Sequence, residues 1–133
     1  MLRNIHVIRH GDIERISQLG VTNIAQLVVP ENEADYPSVD MFGWLPSFGV
    51  YCRHARAITL ENITILPTNP DIRPALVFDD VGNLAVSNVI ASYTGIATRT
   101  GASMFLITNS PTISLTAAPN PTDPPGGWIL ATP

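Results

Sequence analysis

Three stretches of the sequence repeat one another and decide the fold: VYCRHARAITLENITIL (50 to 66), ALVFDDVGNLAVSNVIA (75 to 91) and MFLITNSPTISLTAA (104 to 118). Each is rich in β-branched residues and is followed by turn-forming residues, as is typical of short strands. Self-similarity at a fixed step is the signature of repeat architectures, so it outweighs any single motif.

The apolar positions define the register of the repeat. Ile58, Leu84 and Ile113 correspond, at steps of 26 residues (84 − 58) and 29 residues (113 − 84). The same steps relate the remaining sets, which are Leu60, Val86 and Leu115; Cys52, Phe78 and Ile107; and Asn62 with Asn88. A polar or small residue between each inner pair gives the period-two alternation of a strand with one face in a core.

The repeat therefore predicts an all-β fold, a parallel β-solenoid with coils of about 26–29 residues. Leucine-rich repeats have a similar length, but their consensus is not matched, and an antiparallel sandwich remains an alternative. Outside the three stretches, LRNIHVI (2 to 8) resembles LENITIL (60 to 66) and 12 to 29 is expected to supply another coil.

Two segments are not expected to form strands. Residues 30–49, PENEADYPSVDMFGWLPSFG, predict a long aromatic and proline-rich loop within the coils of residues 1–118. Residues 119–133 are rich in proline and glycine, and we expect this tail to cross the outside of the solenoid instead of forming a coil.

Composition excludes several functions. Only 14% of the residues are charged and the net charge is −4, so no basic surface is predicted for a nucleic acid or an anionic membrane. All seven cationic side chains are arginines, which excludes lysine Schiff-base chemistry, and the single Cys52 is expected to be a buried, unreactive thiol. No apolar run predicts a membrane span or an export signal, so either the chain is cytosolic or its signal is missing.

The residues DYPSVDMFGWLPSFGVYCRHARAITLENI (35 to 63) and RPALVFDDVGNLAVSNV (73 to 89) resemble the late coils of glycoside hydrolase family 28, in its bacterial polygalacturonase-like members. The resemblance implies a right-handed parallel β-helix of the pectin-lyase-like kind, usually secreted or periplasmic. It also implies a parent activity, the hydrolysis of pectic polysaccharides with inversion, which requires an acid and a base.

None of the family's catalytic motifs is expected in this chain. They comprise N-x-D, an aspartate pair on earlier coils, a histidine near a glycine, and R-x-K, which the absence of lysine excludes. Asp79 and Asp80 are adjacent, but the resemblance places them after the catalytic coils. Neighbouring strand residues should also point to opposite faces, so these two carboxyl groups are not expected to converge on one bond.

The register predicts contacts between coils. Arg53 should lie over Asp79 and His54 over Asp80, giving a salt bridge and a hydrogen bond that Thr108 and Asn109 continue on the next coil. Asn62 over Asn88 predicts an amide ladder. We interpret all of these as structural ladders and assign none of them as catalytic.

Two sets of residues suggest ligands. Phe42, Trp44 and Phe48, with the nearby Arg53, are possible carbohydrate-binding residues, although packing against the coils is the simpler interpretation. His6 and His10 have a spacing that suits metal ligands only on a helix, so no metal is expected there, nor any cofactor.

Three hypotheses follow for function: a non-catalytic fragment or remnant of a polygalacturonase-like β-helix that serves as a scaffold; a module that binds pectic oligosaccharides; and a glycoside hydrolase with an unfamiliar site at His54, Asp79 and Asp80. Exposed strand edges also predict a homo-oligomer through the N-terminal coil or the 30–49 loop. Light scattering that gave a 14.3 kDa monomer at high micromolar concentration would contradict the oligomer.

Overall fold

The computed structural model describes residues 1–10, 18–20, 27–35, 38, 40–69, 71, 73–91, 105–116 and 129–132. The strands within these ranges are β1 (Leu2–Arg9), β2 (Val50–Arg56), β3 (Thr59–Pro67), β4 (Leu76–Gly82), β5 (Leu84–Ala91), β6 (Phe105–Thr108), β7 (Ile113–Thr116) and β8 (Ile129–Thr132). All of their pairings are parallel. The all-β prediction is confirmed for this part of the chain, and the antiparallel sandwich is excluded.

The strands form two four-stranded sheets. The first sheet has the order β1-β3-β5-β7 and the second has the order β2-β4-β6-β8. The chain therefore passes from one sheet to the other at every strand, and one repeat contributes one strand to each. The predicted register is confirmed, because Leu60 pairs with Val86, and Cys52 pairs with Phe78.

The outer strands extend both sheets beyond the three repeats. Leu2 pairs with Leu60, so the LRNIHVI segment is the neighbour of LENITIL. At the other end, β8 pairs with β6, with Phe105 opposite Ile129. The expectation that the whole tail crosses the outside without forming a strand is therefore wrong for Ile129–Thr132. The coil expected at 12–29 falls mainly on residues outside the described ranges.

The core lies between the two sheets. It is one cluster of buried apolar side chains drawn from β3 and β5 on one side and β4 and β6 on the other, with Phe48 from the 30–49 loop: Leu60, Ile63, Ile65, Val86, Val89, Leu76, Phe78, Val81, Phe105 and Ile107. Cys52 is only partly buried against this cluster, although burial raises the pKa of its thiol.

Three strands of the first sheet, β1, β3 and β5, bend at an asparagine. Asn4, Asn62 and Asn88 have φ angles of 57°, 56° and 49°, in the left-handed region that asparagine tolerates better than most residues. The bend interrupts the alternation, since Leu60 and Ile63 are both buried although three positions apart. Two successive side chains between them therefore face outward.

The second sheet bends in the same way. His54, Asp80 and Asn109 have φ angles of 53°, 51° and 50° at equivalent positions. Because Phe78 and Val81 are both buried on either side of the bend, Asp79 and Asp80 both lie on the outer face. The prediction that these two carboxylates point to opposite faces is wrong, since simple alternation does not hold across a left-handed residue.

The end of the 30–49 loop packs tightly against the start of β4. Ser47 Oγ donates to the carbonyl oxygen of Ala75 at 2.8 Å, and the Phe48 amide donates to the carbonyl oxygen of Pro74 at 3.1 Å. A Cβ on Gly49 would lie 2.5 Å from the carbonyl oxygen of Ala75. Only glycine allows this approach, which places the loop over the core.

Candidate functional site on the outer face of the second sheet

His54 joins two carboxylates on the outer face of the second sheet. Its Nδ1 lies 2.8 Å from Asp80 Oδ2, and its Nε2 lies 3.2 Å from Glu31 Oε1. The hydrogen bonds to Asp80 and then to Glu31 raise the pKa of His54. The bond from His54, together with Arg56 at 3.5 Å, lowers the pKa of Asp80. Each of the two carboxylates that contact His54 therefore has a cationic or titratable partner beside it.

Arg53 is in register with Asp79 but binds elsewhere. Its guanidinium donates to the carbonyl oxygens of Val29 at 2.7 Å and Pro30 at 3.0 Å, and it forms an ion pair with Glu31 at 3.2 Å. The prediction of an Arg53–Asp79 salt bridge is therefore wrong, since the carboxylate that pairs with Arg53 is that of Glu31. The physical reason is that the segment 27–31 lies over β2 and presents backbone carbonyls and a carboxylate to the arginine.

Asp79 is instead bound by residues of the next repeat. Thr108 Oγ1 donates to Asp79 Oδ1 at 2.8 Å, and Asn109 Nδ2 donates to the same oxygen at 2.9 Å. The predicted continuation of the ladder onto Thr108 and Asn109 is found here. These two hydrogen bonds hold the Asp79 carboxylate of β4 against the neighbouring strand β6 and the residue that follows it.

The asparagines of the first sheet form a second row. Asn62 Nδ2 donates to Asn4 Oδ1 at 2.9 Å, while Asn62 Oδ1 accepts a hydrogen bond from Asn88 Nδ2 at 2.7 Å. The row runs across three strands, one more than the pair that the sequence predicts. Each amide is hydrogen-bonded to the next one along the row, as in a structural ladder.

A groove of about 250 Å³ lies on the outer face of the second sheet. Its floor contains Tyr51 and Arg53, with Asp79 and Thr108 further along, and the segment 27–29 forms one wall. The Arg53 guanidinium carbon lies 5.9 Å from the centre of the Tyr51 ring. Burial raises the pKa of the Tyr51 phenol, and a protonated phenol can donate a hydrogen bond.

The aromatic residues predicted to bind carbohydrate do not form one surface. Phe48 is completely buried in the core, so its ring is inaccessible to a sugar. The guanidinium carbon of Arg73 lies 5.9 Å from the centre of the Trp44 ring, whereas Phe42 is 38% exposed. Of the predicted carbohydrate-binding residues, Arg53 lines the groove. Packing accounts for Phe48, as the simpler interpretation predicts.

A buried ion pair lies behind this loop. The Arg73 side chain is 1% exposed and the Asp71 side chain is 0% exposed. Arg73 Nη2 donates to Asp71 Oδ2 at 2.6 Å, and Arg73 Nε donates to Asp71 Oδ1 at 2.9 Å. Arg73 Nη1 also donates to the carbonyl oxygen of Leu45 at 3.2 Å. The pair therefore ties the turn before β4 to the 30–49 loop.

Residues 69–71 read Asn-Pro-Asp and so have the N-x-D spacing of the family motif. The expectation that this motif is missing from the sequence is wrong. The structure nevertheless gives Asp71 another role, since its carboxylate is fully buried and held in two hydrogen bonds by Arg73. A carboxylate in that position cannot contact a polysaccharide.

The histidines of β1 and its C-terminal flank form no metal site with the other described residues. Asn69 Nδ2 lies 3.1 Å from the ring of His10, while His6 lies on the exposed face of β1. No group of three or more histidine, cysteine, aspartate or glutamate side chains in the described ranges is arranged to hold a metal ion.

Sequence reasoning missed several residues of the outer face and the loop. No sequence pattern singled out Glu31 or Tyr51 as a site residue. Glu31 contacts His54 only because of the path that the 30–49 loop takes. The Asp71–Arg73 ion pair could have been predicted from the sequence. The stretch NPDIRP places two opposite charges two residues apart, in a chain that has few charged residues.

Comparison with known proteins identifies no relative. No protein-family model matches the chain, and neither a curated protein nor a solved structure matches it. Among the described residues, no helix has the length and apolar content to cross a bilayer.

Proposed function

We propose that this chain is a section of a right-handed parallel β-helix of the polygalacturonase-like kind, and that it serves as a scaffold and not as a catalytic centre. Support for the solenoid comes from the strands, which alternate between two parallel sheets at steps of 26 and 29 residues. Crossovers between parallel strands are right-handed in nearly all proteins, which supports the handedness.

The observation that carries the scaffold role is the pairing of polar side chains between coils. Asp79 is bound by Thr108 and Asn109, and Asp80 is bound by His54 and Arg56. A general acid in a glycosidase needs a raised pKa, whereas the pKa of Asp80 is lowered. The hypothesis of a hydrolytic site at His54, Asp79 and Asp80 is therefore less well supported than a structural ladder.

The scaffold proposal predicts that the purified chain releases no reducing ends from polygalacturonan above a protein-free blank. The physical reason is that the outer-face carboxylates are held by partners on neighbouring coils. Release that disappears in an Asp80→Ala variant would overturn the proposal in favour of the hydrolytic site. Release that persists in that variant would exclude Asp80 as a catalyst and still contradict a scaffold.

The groove supports a second proposal, that the chain binds pectic oligosaccharides. An aromatic ring beside a cationic and a hydroxyl side chain is a common arrangement for a sugar ring and its polar groups, and Tyr51, Arg53 and Thr108 provide it. The carboxylates of a pectic sugar would face Arg53. This places the proposed contact at the groove and away from Phe42.

Isothermal titration with oligogalacturonides tests this second proposal. We expect heat at millimolar ligand, with affinity reduced severalfold in Tyr51→Ala because the ring lines the groove. Phe42→Ala is the matched control, since it removes a partly exposed aromatic ring outside the groove and should leave the affinity unchanged. No heat with the unmodified chain, or an equal loss in both variants, would contradict binding in the groove.

Self-association also remains a proposal, with a second copy of this chain as the partner. Among the strands that the structure describes, β1 lies at an edge of the first sheet, and its Leu2 and Ile8 side chains are 52% and 67% exposed. An edge strand offers unpaired backbone groups to another strand, which favours contact through this coil over contact through the 30–49 loop.

A further inference from the structure

The positive charge in the groove is already paired within the chain. Among the described residues that line the groove, Arg53 and Asp79 are charged. The Arg53 guanidinium lies 3.2 Å from Glu31 Oε1, and it also donates to the carbonyl oxygens of Val29 and Pro30. A second anion placed beside Arg53 would therefore lie close to the Glu31 carboxylate and be repelled by it.

The negative charge of Asp79 has no cationic partner among the described residues. Its hydrogen bonds come from the neutral groups Thr108 Oγ1, at 2.8 Å, and Asn109 Nδ2, at 2.9 Å, and both bonds go to Oδ1. The other carboxylate oxygen, Oδ2, accepts no hydrogen bond from this part of the chain. An open carboxylate oxygen accepts hydrogen bonds from hydroxyl groups but repels another carboxylate.

The remaining lining of the groove suits an uncharged group. It is apolar along the wall formed by segment 27–29 and on the floor, with Leu27, Val28, Val29, Pro46, Val77 and Leu106. Val28 is 81% exposed, so its side chain is open to a ligand. A methyl group gains free energy when it is buried against such a surface, whereas a carboxylate loses its hydration there without gaining an unpaired counter-charge.

We propose that the groove takes pectic oligosaccharides in their methyl-esterified, uncharged form, and that Asp79 is the residue that sets this preference. The inference rests on the binding of pectic oligosaccharides proposed above, and it adds the chemical form of the sugar that binds. Sugar hydroxyl groups donate to Asp79 Oδ2, and the ester methyl group lies against the apolar wall. The ester carbonyl oxygen accepts from Arg53, since a guanidinium has more N–H donors than its contacts with the chain occupy.

Isothermal titration at neutral pH with two oligogalacturonides of equal length tests the preference. One carries free carboxylates and the other is fully methyl-esterified. We expect the esterified form to bind severalfold tighter, because it brings no charge next to Glu31 and Asp79. The difference should shrink between about 0.1 M and about 1 M salt, since the Debye length falls from about 10 Å to about 3 Å over that range.

Asp79→Asn is the decisive variant. The asparagine amide oxygen can still accept from Thr108 and Asn109, but the negative charge is removed. The free-acid form should gain affinity severalfold relative to the esterified form in this variant. Glu61→Gln is the matched control, because it removes the same charge from the first sheet, where Glu61 pairs with Arg3, and it should leave the preference unchanged.

The results separate a failure of this inference from a failure of binding in the groove. No heat with either form would overturn both. Equal affinity for the two forms, or tighter binding of the free acid, with both forms weakened in Tyr51→Ala, would overturn the preference and leave binding in the groove intact. An undiminished preference in Asp79→Asn would contradict the role of Asp79. If that variant fails to fold, the salt dependence decides, since a preference of the same size at both salt concentrations contradicts an effect of charge.

Discussion

Replacing Arg73 with alanine is expected to lower the free energy of unfolding by about 3–5 kcal/mol, the usual cost of removing one partner of a buried ion pair. Arg73 and Asp71 are 1% and 0% exposed, and the arginine also donates to the carbonyl oxygen of Leu45. Its loss leaves the Asp71 carboxylate buried without its counter-charge. Urea denaturation monitored by circular dichroism measures the change, provided that the m-value is unaltered.

Arg3→Ala is the matched control for that prediction. Arg3 forms an ion pair with Glu61 at 2.8 Å, but the side chains are 51% and 35% exposed, so its removal should cost less than about 1 kcal/mol. A double variant, Asp71→Leu with Arg73→Met, should recover much of the lost stability because no charge is left buried. Equal effects of Arg73→Ala and Arg3→Ala would contradict the assigned role of the buried pair.

The backbone register was predictable from sequence because each repeat contributes one strand to each parallel sheet. Residues one repeat apart pair, so the 26-residue step that relates Cys52 to Phe78 in the sequence also relates them in the second sheet. The same holds for Leu60 and Val86 in the first sheet. The 29-residue step shows that an insertion in a turn leaves the pairing intact, since Phe78 still meets Ile107.

The direction of side chains was less predictable, because it depends on local bends that the alternation rule does not contain. Asp79 and Asp80 share a face only because Asp80 has a positive φ. Asparagine at Asn62 and Asn88 suggested a left-handed position in the first sheet. In the second sheet, His54 and Asp80 occupy the equivalent positions, and these residue types indicate a left-handed backbone less clearly than asparagine does.

Contacts made by the non-repeating 30–49 loop could not be predicted from the repeat at all. Arg53 binds Val29, Pro30 and Glu31 instead of Asp79, because these three residues belong to a segment outside the three repeats that lies beside Arg53. The repeat determines which residues are neighbours on adjacent strands of a sheet, but it carries no information about a loop that crosses those strands. The candidate site lies at such a crossing.

Replacing Leu84 with alanine is the second change expected to have a large effect, about 2–5 kcal/mol lost from the free energy of unfolding. Leu84 is 1% exposed and belongs to the core cluster, so its truncation removes buried apolar surface and leaves a cavity between the sheets. Its paired neighbour Ile113, on β7, is 37% exposed and provides the control.

Ile113→Ala should cost less than about 1 kcal/mol, because solvent already covers much of that side chain. Comparing the two variants by urea denaturation separates the effect of burial from the effect of position in the register, since Leu84 and Ile113 occupy paired positions on β5 and β7. A cost for Leu84→Ala below about 0.5 kcal/mol, the usual range for a surface substitution, would mean that Leu84 does not lie in a packed core and that the register is wrong.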